Sequence, residues 1–187
     1  MSAPSALSHV PVMLDEVLAG LAPAPGDVML DATFGAGGYS RALLAADCYV
    51  FAIDRDPVAV REGRALEAAF AGQFVMLPGL FSDMEALLGA HGVTALDGVV
   101  FDIGVSSMQL DDAARGFSFQ ADAPLDMRMS RAGESAADVV NRASQDQLAD
   151  ILRRYGEEPK ARRIAMAIVA ARAQKPIERT RELAELV

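Results

Sequence analysis

The chain has 187 residues, 52% of them hydrophobic, a single cysteine and a formal net charge of −9. That length suits one domain or little more, with enough apolar material for a core. The lone Cys48 excludes an internal disulfide framework and a cysteine-rich zinc site, and fits a reducing cytoplasm.

The opening stretch, MSAPSALSHVPVM, lacks the basic head and apolar middle of a signal peptide. No apolar run reaches the ~20 residues needed to cross a bilayer, so no membrane role is expected. Among Ala and Val neighbours, Cys48 reads as a small core hydrophobe rather than a nucleophile. The histidines, His9 and His91, lie too far apart in sequence to suggest a ligand pair. Charge is unevenly placed. Residues 1–150 hold 8 Arg, no Lys and 21 acids, a balance of −13. Residues 151–187 hold 9 basic residues and 5 acids, a balance of +4. The acidic body suits a cationic small molecule and the basic end suits a polyanion.

In chain order, a helix is predicted near 13–21, with Leu14, Val17, Leu18 and Leu21 on its packed face. Four short apolar runs read as strands: VMLDA (28–32), YVFAID (49–54), FVML (74–77) and DGVVFDIGV (97–105). Helical stretches separate them at 40–46, 56–70 and 81–92. The second has Pro57 at its first position and an apolar face through Val60, Ala65 and Leu66. The third has Ser82 or Asp83 as its N-cap. Strands alternating with helices imply βαβ units and a parallel sheet. From Ser106 to Ser135 the chain reads as loop. Helical signals resume in ASQDQLADILRRYG and EPKARRIAMAIVAARAQ, and again from Thr180, a plausible N-cap. The sequence stops inside that last helical segment. An open sheet of only four strands is also small for a Rossmann-like enzyme. Both features lead us to expect the N-terminal part of a longer protein.

The stretch LDATFGAGGYS (30–40) follows the first strand and crowds Gly35, Gly37 and Gly38 into one turn. Three ligand classes use such a turn. A Walker loop needs a lysine after its last glycine, and no lysine precedes Lys160. A dinucleotide turn needs GxGxxG, and its third position is Ser40 here. That weakens a nicotinamide-dinucleotide reading, which stays open as the alternative of an NAD-linked oxidoreductase. The third class is S-adenosylmethionine, which has no phosphate and carries a cationic sulfonium and amine. Acids rather than lysines suit it. Asp31, Asp54 and Asp102 end three of the four strands, at the edge where open α/β sheets bind ligands. All three are expected to face one crevice, and Asp54, about twenty residues past the glycines, is placed to accept ribose hydroxyls.

Further strings sharpen this reading: HVPVMLDEV, DATFGAGGYS, AIDRDP, DIGVSSMQLDD, RGFSF, PLDMRM and YGEEPKARRIA, in that order. Together they resemble the bacterial small-subunit ribosomal RNA cytosine-N4 methyltransferases of the MraW type. Small departures are Ala114, where an acid often precedes RGFSF, and Ala123, where glycine often precedes PLDMRM. The resemblance implies an α/β fold of the Rossmann-like class I methyltransferase kind, here with a partial parallel sheet over residues 1–108. An incomplete all-helical insert would occupy 109–187, and an inactive fragment that binds neither adenosylmethionine nor a dinucleotide well stays open as a further alternative. It implies S-adenosylmethionine as donor and a cytidine of the decoding region of small-subunit ribosomal RNA as acceptor. The cofactor contacts it implies are Gly37, Gly38, Tyr39, Asp54, Phe81, Asp102 and Gln109.

Methyl transfer to an exocyclic amine needs an acceptor for the N–H groups and an in-line arrangement. Asp102 is expected either to be that acceptor, with Ser106 and Ser107 assisting, or, with equal weight, only to bind the cofactor. Arg153, Arg154, Lys160, Arg162, Arg163 and Arg172 are the candidate RNA-phosphate contacts. The RGFSF–PLDMRM segment, with Arg115, Phe117, Phe119, Asp126 and Arg128, is expected either to gate the cytidine or, with slight preference, to pin the insert to the sheet through its aromatics.

Overall fold

A computed structural model describes residues 11–187. His9, Val10 and most of the opening stretch lie outside the described residues. The chain divides into two compact units, residues 1–106 and 107–187.

In the first unit, β1 (Val28–Asp31), β2 (Tyr49–Asp54), β3 (Phe74–Pro78) and β4 (Gly98–Val100) form one parallel sheet. The strand order is β3-β2-β1-β4. This is the core of the doubly wound, Rossmann-like arrangement, whose strand order reverses beside β1. Strand periodicity explains why the runs are apolar throughout. Met29, Val50, Ala52, Phe74 and Met76 point into one core, while Leu30, Ile53 and Leu77 point into another. Successive side chains alternate faces, so both faces are buried. α1 (Leu14–Leu21), α2 (Gly38–Ala45) and α3 (Pro57–Ala69) cover the first face through Leu18, Leu21, Leu43, Leu44, Ala59 and Leu66. α4 (Met84–Gly89) covers the other with Met84, Leu87 and Leu88. Cys48 lies fully buried in the first core.

Three local expectations need correction. The buried stripe of α3 is Ala59, Gly63 and Leu66, and Ala65 is exposed. Steps of three and four residues share a helical face, and Ala65 lies about 100° from Leu66. Asp56 caps α3, its carboxylate accepting from Val58 N–H at 2.9 Å, ahead of Pro57. β4 stops at Val100, not Val105, because its pairing with β1 covers only Met29–Asp31. Asp83 precedes α4 without a side-chain cap bond.

The second unit is helical: α5 (Ser107–Asp111), α6 (Ala136–Arg142), α7 (Gln145–Gly156), α8 (Ala161–Arg172) and α9 (Thr180–Ala184). α5 lies within the stretch expected to be loop. α6 was not foreseen, although Ser135 and Asp138 form a full capping box at its start. Its seven residues are too few to show a clear 3.6-residue period. Ser144 and Gln147 form a second box at α7. Arg179, not Thr180, occupies the N-cap position of α9. The Thr180 hydroxyl instead accepts from Ala123 N–H and donates to the Ala121 carbonyl, both at 3.1 Å. Leu125, Val140, Leu148, Ile164, Ile168 and Ile177 make this unit's core.

The RGFSF and PLDMRM strings clasp each other inside the second unit. Arg115 is buried, and its guanidinium donates to the carbonyls of Arg128 (3.0 Å) and Met129 (2.8 Å). Arg128 is in turn forked onto Asp126, which holds the Asp126 carboxyl below its usual range. Leu125 N–H donates to Glu178 O at 2.8 Å, and Pro124 bridges Arg179. Arg115, Asp126 and Arg128 therefore pack and pair, whereas Phe119 is 75% exposed.

Candidate functional site

The carboxyl edge of the first unit's sheet is organised by its acids, but not as three equivalent carboxylates. Asp31 is fully buried. It lies on the face covered by α2, where the Ser40 hydroxyl donates to it at 2.7 Å and Thr33 N–H at 3.2 Å. It brackets the end of β1 to the first turn of α2. Burial pushes its carboxyl up to about 6, only partly offset by the Ser40 and Thr33 hydrogen bonds. The expectation that Asp31 faces the crevice is thus corrected.

Asp54 is half-buried at the end of β2. One oxygen accepts from Gly35 N–H and the other from Asp56 N–H, both at 2.8 Å. The carboxylate therefore sets the glycine turn itself. An ionised carboxylate has about four lone-pair sites, so Asp54 keeps acceptor capacity beyond those two bonds.

The glycines differ in what they admit. Gly37 is the N-cap of α2 with φ +77°, and a Cβ there would lie 2.6 Å from the Phe34 ring. At Gly38 that space is taken by Pro11. Gly35 (φ +54°) has only the Thr33 carbonyl at 3.9 Å, so its outer face is open. Gly35 was not among the contacts read from sequence. Tyr39 turns inward, 6% exposed, and its hydroxyl donates to the Val12 carbonyl at 2.5 Å. Burial, and then the nearby Asp102 charge, raise its pKa.

Asp102 is exposed just past β4, at the reversal of strand order. Its N–H donates to the Thr33 hydroxyl at 2.7 Å, which ties the chain after β4 to the turn after β1. Phe81 follows β3 and Phe101 follows β4, on opposite edges of the sheet. Their rings nevertheless meet edge-on, 5.7 Å apart at 87°. Both are more than two-fifths exposed, so apolar aromatic surface is open at this edge. Thr33 and Phe101 are additions to the residues read from sequence. The aromatic directly before Asp102 was the available signal. Ser106 ends the first unit. Ser107 and the buried Gln109 belong to α5 of the second.

In the second unit, Arg153, Arg154, Lys160, Arg162 and Arg163 are all exposed. Arg172 differs, because its guanidinium donates to the Val140 carbonyl at 2.6 Å and ties α8 to α6. It serves as a strut between those two helices. Among the described residues, no group of His, Cys, Asp and Glu is placed to hold a metal ion. Nor is any described helix long and apolar enough to cross a membrane.

The chain is 60% identical over 179 residues to a protein of Rhizorhabdus wittichii named "Ribosomal RNA small subunit methyltransferase H". Proteins of the same name from Rhodospirillum rubrum and Parvibaculum lavamentivorans are 59% and 58% identical. These alignments cover 96%, 96% and 98% of this chain, and 55%, 55% and 54% of the relatives. The chain thus spans about half the length of the curated relatives it matches. A solved structure, the C-terminal domain of precorrin-6Y C5,15-methyltransferase from Rhodobacter capsulatus, aligns at a TM-score of 0.41 and 18% identity over 60% of each chain, too weak a likeness to carry any argument. The model of the MraW methylase family matches residues 6–187. The chain belongs to the MraW methylase family.

Proposed function

We propose that this chain carries the donor-binding part of an S-adenosylmethionine-dependent methyltransferase. Its acceptor would be the exocyclic N4 amine of a cytidine in the decoding region of small-subunit ribosomal RNA, met in the cytoplasm within an assembled or assembling subunit. The observation that carries the donor assignment is the acidic, lysine-free edge around an open Gly35, with Asp54 setting the turn. A pyrophosphate would meet carboxylates there, whereas a phosphate-free cation is favoured by them.

The residues fit that donor. Asp54 would use its remaining lone pairs on the ribose hydroxyls. Phe81 would lie against the adenine, and the open face of Gly35, with Gly37 and Gly38, would let the backbone approach. Gln109 would complete the set of donor contacts that the resemblance implies. When bound, S-adenosylmethionine supplies an electrophilic methyl group. The cytosine amine is a poor nucleophile because its lone pair is delocalised into the ring. The Asp102 carboxylate would accept a hydrogen bond from that amine, orient it and take its proton as the new bond forms. Thr33, bonded to the Asp102 backbone, would hold that carboxylate in place. Ser106 and Ser107 would assist in orienting the acceptor. The exposed basic side chains of α7 and α8 would contact RNA phosphates.

Calorimetric titration tests the donor assignment, using this chain and a version extended to the full length of its relatives. Adenosylhomocysteine is expected to bind the extended chain and NADH is not. The opposite pattern would overturn the reading in favour of an oxidoreductase. In the extended chain, Asp102→Asn is expected to lower turnover by about 100-fold or more, the usual scale for a lost proton acceptor. Intact turnover with weakened donor binding would remove the acceptor role.

A further inference from the structure

The basic cluster of the second unit includes an aromatic side chain. Tyr155 is 77% exposed in the last turn of α7, directly after Arg153 and Arg154. Tyrosine normally buries part of its ring, so such exposure of a large aromatic is informative. The chain reverses immediately afterwards. Glu157 takes a left-handed conformation (φ +51°), and both Glu157 and Glu158 donate their N–H groups to the Leu152 carbonyl. α8 then begins at Ala161. A connection of only four residues, 157–160, keeps the end of α7 and the start of α8 together. Arg153, Arg154, Tyr155, Lys160, Arg162 and Arg163 therefore share one end of a helical hairpin.

Their charges are available. The cations Arg61, Arg64, Arg128, Arg131, Arg142, Lys175 and Arg179 all have acidic partners. Among the described residues, none of the five cations at this hairpin end is in an ion pair. The nearby Glu158 carboxylate accepts from Lys160 N–H at 2.7 Å, so it serves the turn. Of the two acids at the turn, that leaves Glu157 facing solvent, against five cations.

An exposed ring flanked by unpaired cations has the chemistry of a surface for single-stranded nucleic acid. Bases stack on the ring whatever their identity, while the cations follow the backbone. We propose that Tyr155 is a stacking platform for an unpaired nucleotide of the RNA, with phosphates held by the surrounding arginines and Lys160. This deepens the RNA reading above and rests on it. It assigns the end of the α7–α8 hairpin to an unpaired segment rather than to a duplex, whose bases are already stacked.

Stacking and phosphate binding differ in salt dependence, and that separates them. The probe is a fluorescein-labelled single-stranded oligoribonucleotide of about ten nucleotides, within the range one such surface covers. Binding by fluorescence anisotropy would use this chain and its extended version across a salt series. Tyr155→Ala is expected to weaken binding about 5- to 100-fold. The slope of log affinity against log salt should stay unchanged. Tyr155→Phe should bind within about twofold of wild type, because the ring is kept. Arg162→Glu with Arg163→Glu should flatten the slope by about 0.7 for each phosphate no longer neutralised. Circular dichroism of each variant checks that the helices persist. If wild type binds no RNA, the RNA reading itself falls. If wild type binds and Tyr155→Ala binds equally well, only the stacking role falls. A drop in melting temperature of the extended chain, with RNA affinity unchanged, would instead assign the ring to a protein contact and overturn the proposal.

Discussion

Gly116→Ala is expected to destabilise the second unit by about 3 kcal/mol or more. Gly116 ends the turn Ala113–Arg115 with φ +70°. That conformation alone costs a side-chain-bearing residue about 1–2 kcal/mol. The larger obstacle is space. A Cβ there would collide with the Pro124 carbonyl oxygen and lie 2.9 Å from Asp126 N. Both are backbone atoms, so no rotamer change relieves the overlap. Relief requires separating the RGFSF and PLDMRM strings. Their hold is the Met127 N–H to Arg115 O bond at 2.9 Å and the two bonds from the buried Arg115 guanidinium. Loosening them strands a buried charge, which is costly. A fall in melting temperature of roughly 10 °C is expected. Gly133→Ala is the control. Gly133 also has positive φ, +83°, but nothing lies within 4 Å of its added Cβ. It should show the conformational cost alone. Equal melting temperatures for the two variants would remove the steric argument.

The contrast between these glycines also shows what the sequence made legible. Nothing in RGF or AGE distinguishes a glycine packed against backbone from one in open solvent. The distinction comes from neighbours about ten positions away in the chain. The four strands were legible because a strand buried on both faces leaves an uninterrupted apolar run, and Asp56–Pro57 announced α3 for equally local reasons. The end of β4 was not. Phe101, Ile103 and Val105 continue its apolar pattern yet are exposed, because the pairing that defines a strand ends at Val100. The acids divide in the same way. Asp31, Asp54 and Asp102 read alike as acids after strands. Only the fold sends the first to Ser40, the second to Gly35 and the third to the surface. Side-chain partners were equally hidden: the Tyr39 hydroxyl donates to the Val12 carbonyl and the Arg172 guanidinium to the Val140 carbonyl, pairings that no local pattern announces.

Asp31→Asn is expected to stabilise the protein at neutral pH while weakening its hold on a cationic ligand. In the native chain the Asp31 carboxyl is raised from its ordinary value near 3.8 to about 6. Between those values the folded protein keeps a proton that the unfolded chain has released. Stability therefore falls as pH rises through this window, and the full cost applies above about pH 6. It is on the order of 3 kcal/mol. Carboxyls with the opposite shift, such as Asp126 beside Arg128 and Glu182 beside Lys175, lose their stabilising effect only at more acid pH. Asparagine keeps the shape and never ionises; it can accept from Thr33 N–H and donate to the Ser40 hydroxyl oxygen, while giving up the weaker bond from the Ser40 N–H. Urea unfolding at several pH values should give a wild-type-to-variant difference near zero at about pH 4 that grows towards about pH 7. A constant difference would show that the Asp31 charge is not the cause. On the proposed donor assignment, so costly a charge would be kept for the ligand. Asp31 and Asp54 together would make the end of the sheet attractive to a positive centre, which adenosylmethionine has at sulfur and adenosylhomocysteine lacks. In the extended chain, Asp31→Asn should therefore weaken adenosylmethionine more than adenosylhomocysteine. Equal weakening of the two would confine Asp31 to bracing β1 against α2. Selective weakening, together with the gain in stability, would mark it as a charge kept for binding at the expense of stability.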